Sequence, residues 1–318
     1  MAYPIHRKLV IGVASSALFD LNESDDVFEK KGLEAYRVYQ QAHKEDLLPK
    51  GVAFPFVRRF LSINKVFPDK FPVEVVLLSK NDPATGQRVF NSIKQYGLDI
   101  SRAGFLSGKT PYRYMPVFNI SLFLSANEND VIAAVQAGFP AGTVLSSHIT
   151  DDENDKELRV AFDFDGVIAD DEAEAVYQRS ENVSEFQQHE FIKKDMPHTP
   201  GPLSDLFRKL SLIQKLELKK EKADASYKRI LRIAIVSARS APAHERVITT
   251  LSNWGVMPDE TFFLGGVDKR RVLEIMKPHI FFDDQMRHLS SVAGDIPSVH
   301  IPFGVRNSLA KALPETGS

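Results

Sequence analysis

Arg159-Val160-Ala161-Phe162-Asp163-Phe164-Asp165-Gly166-Val167-Ile168-Ala169-Asp170-Asp171-Glu172 is the stretch around which the chain is organised. Val160 to Phe164 is a short apolar run of the kind that forms a buried strand. It delivers two carboxylates, Asp163 and Asp165, at its carboxyl end, and Gly166 follows where the backbone must turn. Ligands of open α/β sheets bind outside the carboxyl ends of the strands. Two acids crowded there repel each other. A divalent cation keeps both ionised, and oxygen ligands suit Mg²⁺.

Three later features extend the pattern. Ile233-Ala234-Ile235-Val236-Ser237 is an apolar run ending in a hydroxyl, and Lys269 follows Gly265-Gly266-Val267-Asp268 just before a helical pattern. His279-Ile280-Phe281-Phe282-Asp283-Asp284 is another buried-strand pattern, ending in two acids. In this order, the features resemble the four motifs of the haloacid-dehalogenase (HAD) superfamily of phosphohydrolases. The wording around them is closer to one branch. Phe162-Asp163 with Asp170-Asp171-Glu172, the run Ser237 to Arg246, and Lys277 to Gln285 are similar to cytosolic 5′-nucleotidase type I. Ser15-Ser16-Ala17-Leu18-Phe19-Asp20 extends that resemblance to most of the chain.

Hydrolysis of a phosphate monoester is slow enough without a catalyst to need acceleration of up to ~10²¹-fold. A carboxylate nucleophile splits it into two easier displacements. Asp163 is the candidate nucleophile. Asp165 would donate a proton to the leaving oxygen and later take one from water. The resemblance implies the same two roles, and a metal contact through the Asp165 backbone carbonyl. The expected metal set is Asp163 and Asp165 with a further ligand from Asp283 or Asp284, the choice between those two staying open. Ser237 and nearby backbone N–H groups would hold phosphate oxygens. Lys269 would neutralise developing charge and orient Asp163. Arg239 and Asp171 are candidate substrate-binding residues. Arg246 has a counterpart, Arg88, which favours a structural role. Asp170, Asp171 and Glu172 are expected at the start of a helix, where acids favour the positive end. The substrate implied by the resemblance is a nucleoside 5′-monophosphate, AMP or a deoxynucleotide. The alternative is a HAD phosphatase or phosphotransferase for another small phosphomonoester.

Composition narrows the remaining classes. The chain has 318 residues, 43% apolar and 26% charged, as soluble globular proteins do. A formal net charge of −2 gives no reason to expect nucleic acid or an anionic membrane as partner. With no cysteine, disulfides and thiolate chemistry are excluded, and a cytoplasmic location is expected. Self-association into a homo-oligomer stays open. Gly104 to Thr110 contains Gly-Lys-Thr, but the glycine spacing is one residue short for a phosphate-binding P-loop.

The chain also repeats itself. Ser79 and Ser237, Arg88 and Arg246, Gly97 and Gly255, and Gly108 and Gly266 all share an offset of 158. Phe19-Asp20 pairs with Phe162-Asp163 at an offset of 143, making Leu9 to Phe19 a core strand. The fold expected is α/β, with two HAD-like Rossmannoid parallel-sheet halves. Residues 1–150 read as a degenerate half and 151–318 as the catalytic half. Where the second half has Asp165, Lys269 and Asp283-Asp284, the first has Asn22, Pro111 and Ser125-Ala126. Thr150 to Glu157 is the expected linker. Pro49 to Pro72 reads as a loop-rich insert. Residues 173–229 read as a helical cap insert, its charge-rich end from Glu217 to Lys228 as a solvated face.

Overall fold

The computed structural model describes residues 3–148 and 151–307. The chain divides into two compact units, 1–158 and 159–318. In the first, the elements are β1 (Leu9–Val13), α1 (Ser15–Leu18), α2 (Asn22–Ala42), α3 (Phe54–Val66) and β2 (Val73–Ser79). Then come α4 (Gln87–Gln95), β3 (Arg102–Phe105), β4 (Ile120–Ser125), α5 (Glu128–Gln136) and β5 (Ala141–Val144). The strands lie in the order β3-β2-β1-β4-β5, with every pair parallel. β1, β2 and β4 are buried throughout, which is why they read as unbroken apolar runs rather than alternating ones.

The second unit runs β6 (Leu158–Phe162), α6 (Glu172–Ser180), α7 (Val183–Ile192), α8 (Ser204–Ala223) and β7 (Leu231–Ser237). It continues with α9 (His244–Asn253), β8 (Glu260–Phe263), α10 (Arg270–Met276), β9 (Ile280–Asp283), α11 (Met286–Ser290) and β10 (Ser298–His300). Its strand order, β8-β7-β6-β9-β10, repeats that of the first unit. The fold is therefore α/β, with two HAD-like Rossmannoid halves, the second carrying helices α6 to α8 between its first two strands. Phe207 of α8 packs edge-on against Phe162 at 5.5 Å, and Phe162 stacks on Phe282 at 5.1 Å. The insert is thus seated on the strands that carry the acids.

Local geometry repeats as well. Leu106 N–H donates to Ser79 O and Leu264 N–H to Ser237 O, both at 2.9 Å. Arg88 Nε donates to Asp46 O at 3.0 Å, and Arg246 Nε to Met196 O at 2.9 Å. One expected pairing is corrected. Ala14 N–H donates to Leu124 O and Asp163 N–H to Phe282 O, both at 2.8 Å. The counterpart of Asp163 is therefore Ala14. Asp20 N–H donates to Pro49 O, as Asp170 N–H does to Thr199 O, so Asp20 matches Asp170. The counterpart of Asp165 then falls near Ser16 and not at Asn22.

Other expectations change too. β1 ends at Val13, and Ser15–Leu18 is a helical turn, apolar because it is buried and not because it is strand. The segment between Pro49 and Pro72 holds α3, whose Pro55 sits in the first turn, where a missing N–H costs nothing. Within the expected linker, Thr150 lies outside the described residues. Asp151 is held on α3 by Arg59 at 2.6 Å, a guanidinium 2% exposed. Glu217, expected on a solvated face, is buried and accepts from the N–H groups of Ile230 at 2.8 Å and Leu231 at 3.0 Å. Burial pushes its carboxyl up from the ordinary range.

Candidate active site

Asp163 follows the last residue of β6. Its Oδ1 accepts the N–H of Phe164 at 2.7 Å and lies 2.9 Å from Lys269 Nζ. Lys269 stands at the start of α10 and also donates to Asp283 Oδ2, at the end of β9, at 2.7 Å. Asp283 is fixed further by the Gln285 N–H at 2.8 Å and by His288 Nδ1 at 3.1 Å. All these carboxylates, with Asp284, are buried, and Lys269 is only 3% exposed. A lysine in a glycine-rich loop is ordinarily solvated; here two buried acids hold it.

Burial and mutual repulsion set the electrostatics of the cluster. Burial pushes the Asp163 carboxyl up, with Lys269 pulling against it. Burial opposes ionisation of Asp283 too, yet Lys269 and His288 hold it below the usual range. Burial also works against the Lys269 charge, which Asp163 and Asp283 sustain. Asp284 is pushed up to about 9, by burial first and then by Asp163 and Asp283. Its Oδ1 is buried with no hydrogen-bond partner among the described residues. Three buried acids thus converge with one ammonium, and His288 contacts one of them. Asp163, Asp283 and His288 already bring ligand atoms within 4.8 Å of one another. That donor set, mostly hard oxygen, fits a divalent cation. Gly166 closes the loop beside it: at φ 71 it takes a left-handed turn, and a Cβ there would lie 2.8 Å from the Asp284 carboxyl carbon.

Asp165 is placed differently. Its carboxylate is turned to Arg239, which binds it through Nε at 2.8 Å and Nη2 at 2.6 Å. This fork is planar and bidentate, so it fixes direction as well as distance. Ser237, fully buried at the end of β7, accepts the Arg239 N–H at 3.3 Å. Asp171 precedes α6, but its carboxylate makes no cap bond; Oδ2 accepts the N–H of Val305 at 2.6 Å. Neither do its neighbours cap. Glu172 pairs with Lys193 and, at 2.9 Å, with Arg246, while Asp170 lies 3.6 Å from His198 Nδ1. Asp170, Glu172 and His198 also converge, but two cations already neutralise Glu172, so this is an ion-pair network rather than a metal site.

The structure therefore brings Asp163, Lys269, Asp283 and Asp284 together, joins Asp165 to Arg239, and gives Asp171 other partners. His288, Glu190 and His198 carry no local signal in the sequence. His288 is five residues beyond Asp283, and Glu190 sits in a polar helical stretch that reads as surface. No helix among the described residues is long and apolar enough to cross a membrane.

The buried acid cluster lies at the carboxyl ends of β6 and β9, beside a helical insert, in a HAD-like α/β fold. The chain belongs to the 5′-nucleotidase family, whose profile matches residues 1–308. It is 34% identical over 290 residues to human cytosolic 5′-nucleotidase 1B, covering 88% of this chain and 46% of the relative. The chain thus spans about half the length of that relative. Among solved structures, the S. aureus MnaA-UDP co-structure matches at 10% identity over 90% of this chain and 76% of that one. Its TM-score of 0.19 carries no weight for fold or chemistry.

Proposed function

We propose that this chain hydrolyses nucleoside 5′-monophosphates, AMP or deoxynucleotides, to nucleoside and phosphate with Mg²⁺ bound. The observation that carries this reading is the buried set Asp163, Asp283 and Asp284 facing Lys269, in a chain of this family. Asp163 attacks phosphorus, and the bond to the ester oxygen breaks. Asp165 gives a proton to the departing alkoxide, leaving an aspartyl-phosphate. Water then attacks phosphorus, Asp165 takes its proton, and the bond to Asp163 breaks, restoring the carboxylate. Lys269, 2.9 Å from Asp163 Oδ1, orients the nucleophile and offsets negative charge. Ser237 and neighbouring N–H groups receive phosphate oxygens. Asp163, Asp283, Asp284 and the Asp165 carbonyl would hold Mg²⁺, which supplies Lewis-acid charge neutralisation when bound.

The helical insert acts as a cap that excludes water. The first unit is a degenerate copy without chemistry of its own, and the protein is cytoplasmic. A panel of nucleoside monophosphates and sugar phosphates, assayed with excess chelator and then with Mg²⁺ restored, tests the reading. Phosphate release should disappear with chelator and return with Mg²⁺, nucleotides being preferred. Preference for a sugar phosphate would favour the alternative, a HAD phosphatase for another phosphomonoester. Full activity in chelator would overturn the metal assignment.

A further inference from the structure

Behind Asp165 lies a second set of buried charges that the proposed chemistry does not use. Arg239 holds Asp165 with one edge of its guanidinium. Its remaining nitrogen, Nη1, donates to Glu190 Oε2 and, at 3.0 Å, to the Ala243 carbonyl. Glu190 belongs to α7 of the insert and is wholly buried. Its other oxygen, Oε1, accepts from Arg246 Nη1 at 2.9 Å, and His198 Nε2 lies 3.2 Å from Oε2. A carboxylate without solvent is costly to keep unless its partners are good. Burial would raise its carboxyl, but His198 and Arg239 hold it well below the usual carboxylate range. Arg246 is itself tied to the Met196 carbonyl at 2.9 Å.

The geometry has a direction. Arg239 emerges from the loop after β7, where a long side chain has many rotamers. The Phe164 and Phe186 rings, each centred 5.5 Å from the guanidinium carbon, and His198 Nε2, 3.2 Å from Nη2, confine it. Glu190 and the Ala243 carbonyl fix Nη1, and a planar guanidinium fixed at one nitrogen presents the opposite edge at a defined angle. We infer that Glu190 is a positioning residue: through Arg239 it sets the placement of the Asp165 carboxyl, so that the helical insert takes part in proton transfer to the leaving group. This rests on the proposed role of Asp165 as proton donor.

A misplaced acid matters in proportion to how much the leaving group needs its proton. A nucleoside alkoxide needs it; p-nitrophenolate leaves without it. General acid catalysis contributes about 10²–10⁴-fold. The test is single-turnover release of nucleoside from AMP and of p-nitrophenol from p-nitrophenyl phosphate, by the full chain with Mg²⁺. Single turnover isolates the first displacement, where Asp165 acts as donor.

Glu190→Gln should slow nucleoside release by about 10–10²-fold, within the range of a general acid, while p-nitrophenol release changes less than about threefold. Glu190→Asp keeps the charge but is one methylene short of spanning both arginines. It should show the same selective loss to a smaller degree, and it guards against a Gln variant that fails to fold. Thermal unfolding of each variant is followed in parallel. A purely structural role would depress both substrates equally or cost stability alone, and either result overturns the inference. A wild-type protein that releases neither product would instead overturn the proposed function.

Discussion

Glu172 shows how one side chain can look local and act at a distance. It opens α6, where an acid is welcome at the helix start, yet its partners are Lys193 and Arg246. Partial burial would raise its carboxyl, but those two cations overcome it and hold the group down to about 2, against an ordinary 4.5. An acid depressed in the folded state contributes stability above its unfolded pKa and loses it as pH falls through the folded one. The difference in unfolding free energy between wild type and Glu172→Gln should therefore be level above about pH 5 and shrink toward zero on the way to pH 2. Urea unfolding at a series of pH values measures it. A difference that does not change with pH would mean the ion pairs contribute nothing. At this scale the sequence shows residue types but not partners. Asp163, Asp283 and Lys269 stand out because each ends a strand or starts a helix at the same sheet edge. Glu172, Glu190 and His198 are joined only by folding the insert, and no spacing rule links positions 172, 190, 198, 239 and 246.

Elements were legible where periodicity and burial agree and illegible where a polar group is buried for the backbone's sake. β2, β6, β7 and β9 are buried apolar runs and are read directly. α3 is hidden by Pro55, which signals a loop until its place in the first turn is known. The end of α8 misleads in the opposite way. Its lysines and glutamates suggest solvent, but Glu217 is 1% exposed and receives the Ile230 and Leu231 N–H groups where the chain enters β7. Tyr227 Oη donates to it as well. In Glu217→Leu those donors are left unpaired, at about 1–3 kcal/mol for each buried group. The variant should lose about 3 kcal/mol or more in urea unfolding, with Glu217→Gln in between because an amide oxygen still accepts. A loss under about 1 kcal/mol in the Leu variant would mean that water reaches the strand start after all.

At the scale of the molecule, the internal repeat decides where chemistry is to be sought. The shared strand order and the matching bonds that Ser79 and Ser237, and Arg88 and Arg246, each make within their own unit describe one architecture used twice. The constant offset of 158 makes that visible in the sequence from Ser79 onward. Before Ser79 the offset drifts, and counting from the wrong residue makes Asp20 look like a nucleophile. Backbone bonds place Ala14 there instead, and Ser125-Ala126 where the second unit has Asp283-Asp284. Pro111, buried at the start of a short helical turn, stands where Lys269 would be. At the positions of Asp163, Asp283 and Asp284 this edge of the first unit carries Ala14, Ser125 and Ala126, none of which offers a carboxylate to attack phosphorus or to share a cation. Asp20 is exposed, and its Oδ1 accepts the Asn22 N–H at 3.0 Å, a local turn contact. Asp20→Asn should therefore leave single-turnover phosphate release within about twofold of wild type, since an amide oxygen can accept the same bond. Asp165→Asn, which removes the proposed proton donor and one side of the Arg239 fork, should lower nucleoside release by about 10²–10⁴-fold. Both variants are compared at saturating substrate and Mg²⁺, with unfolding curves to show that each is folded. If Asp20→Asn, still folded, lost several orders of magnitude, the first unit would belong to the catalytic centre and the degenerate-copy reading would fail.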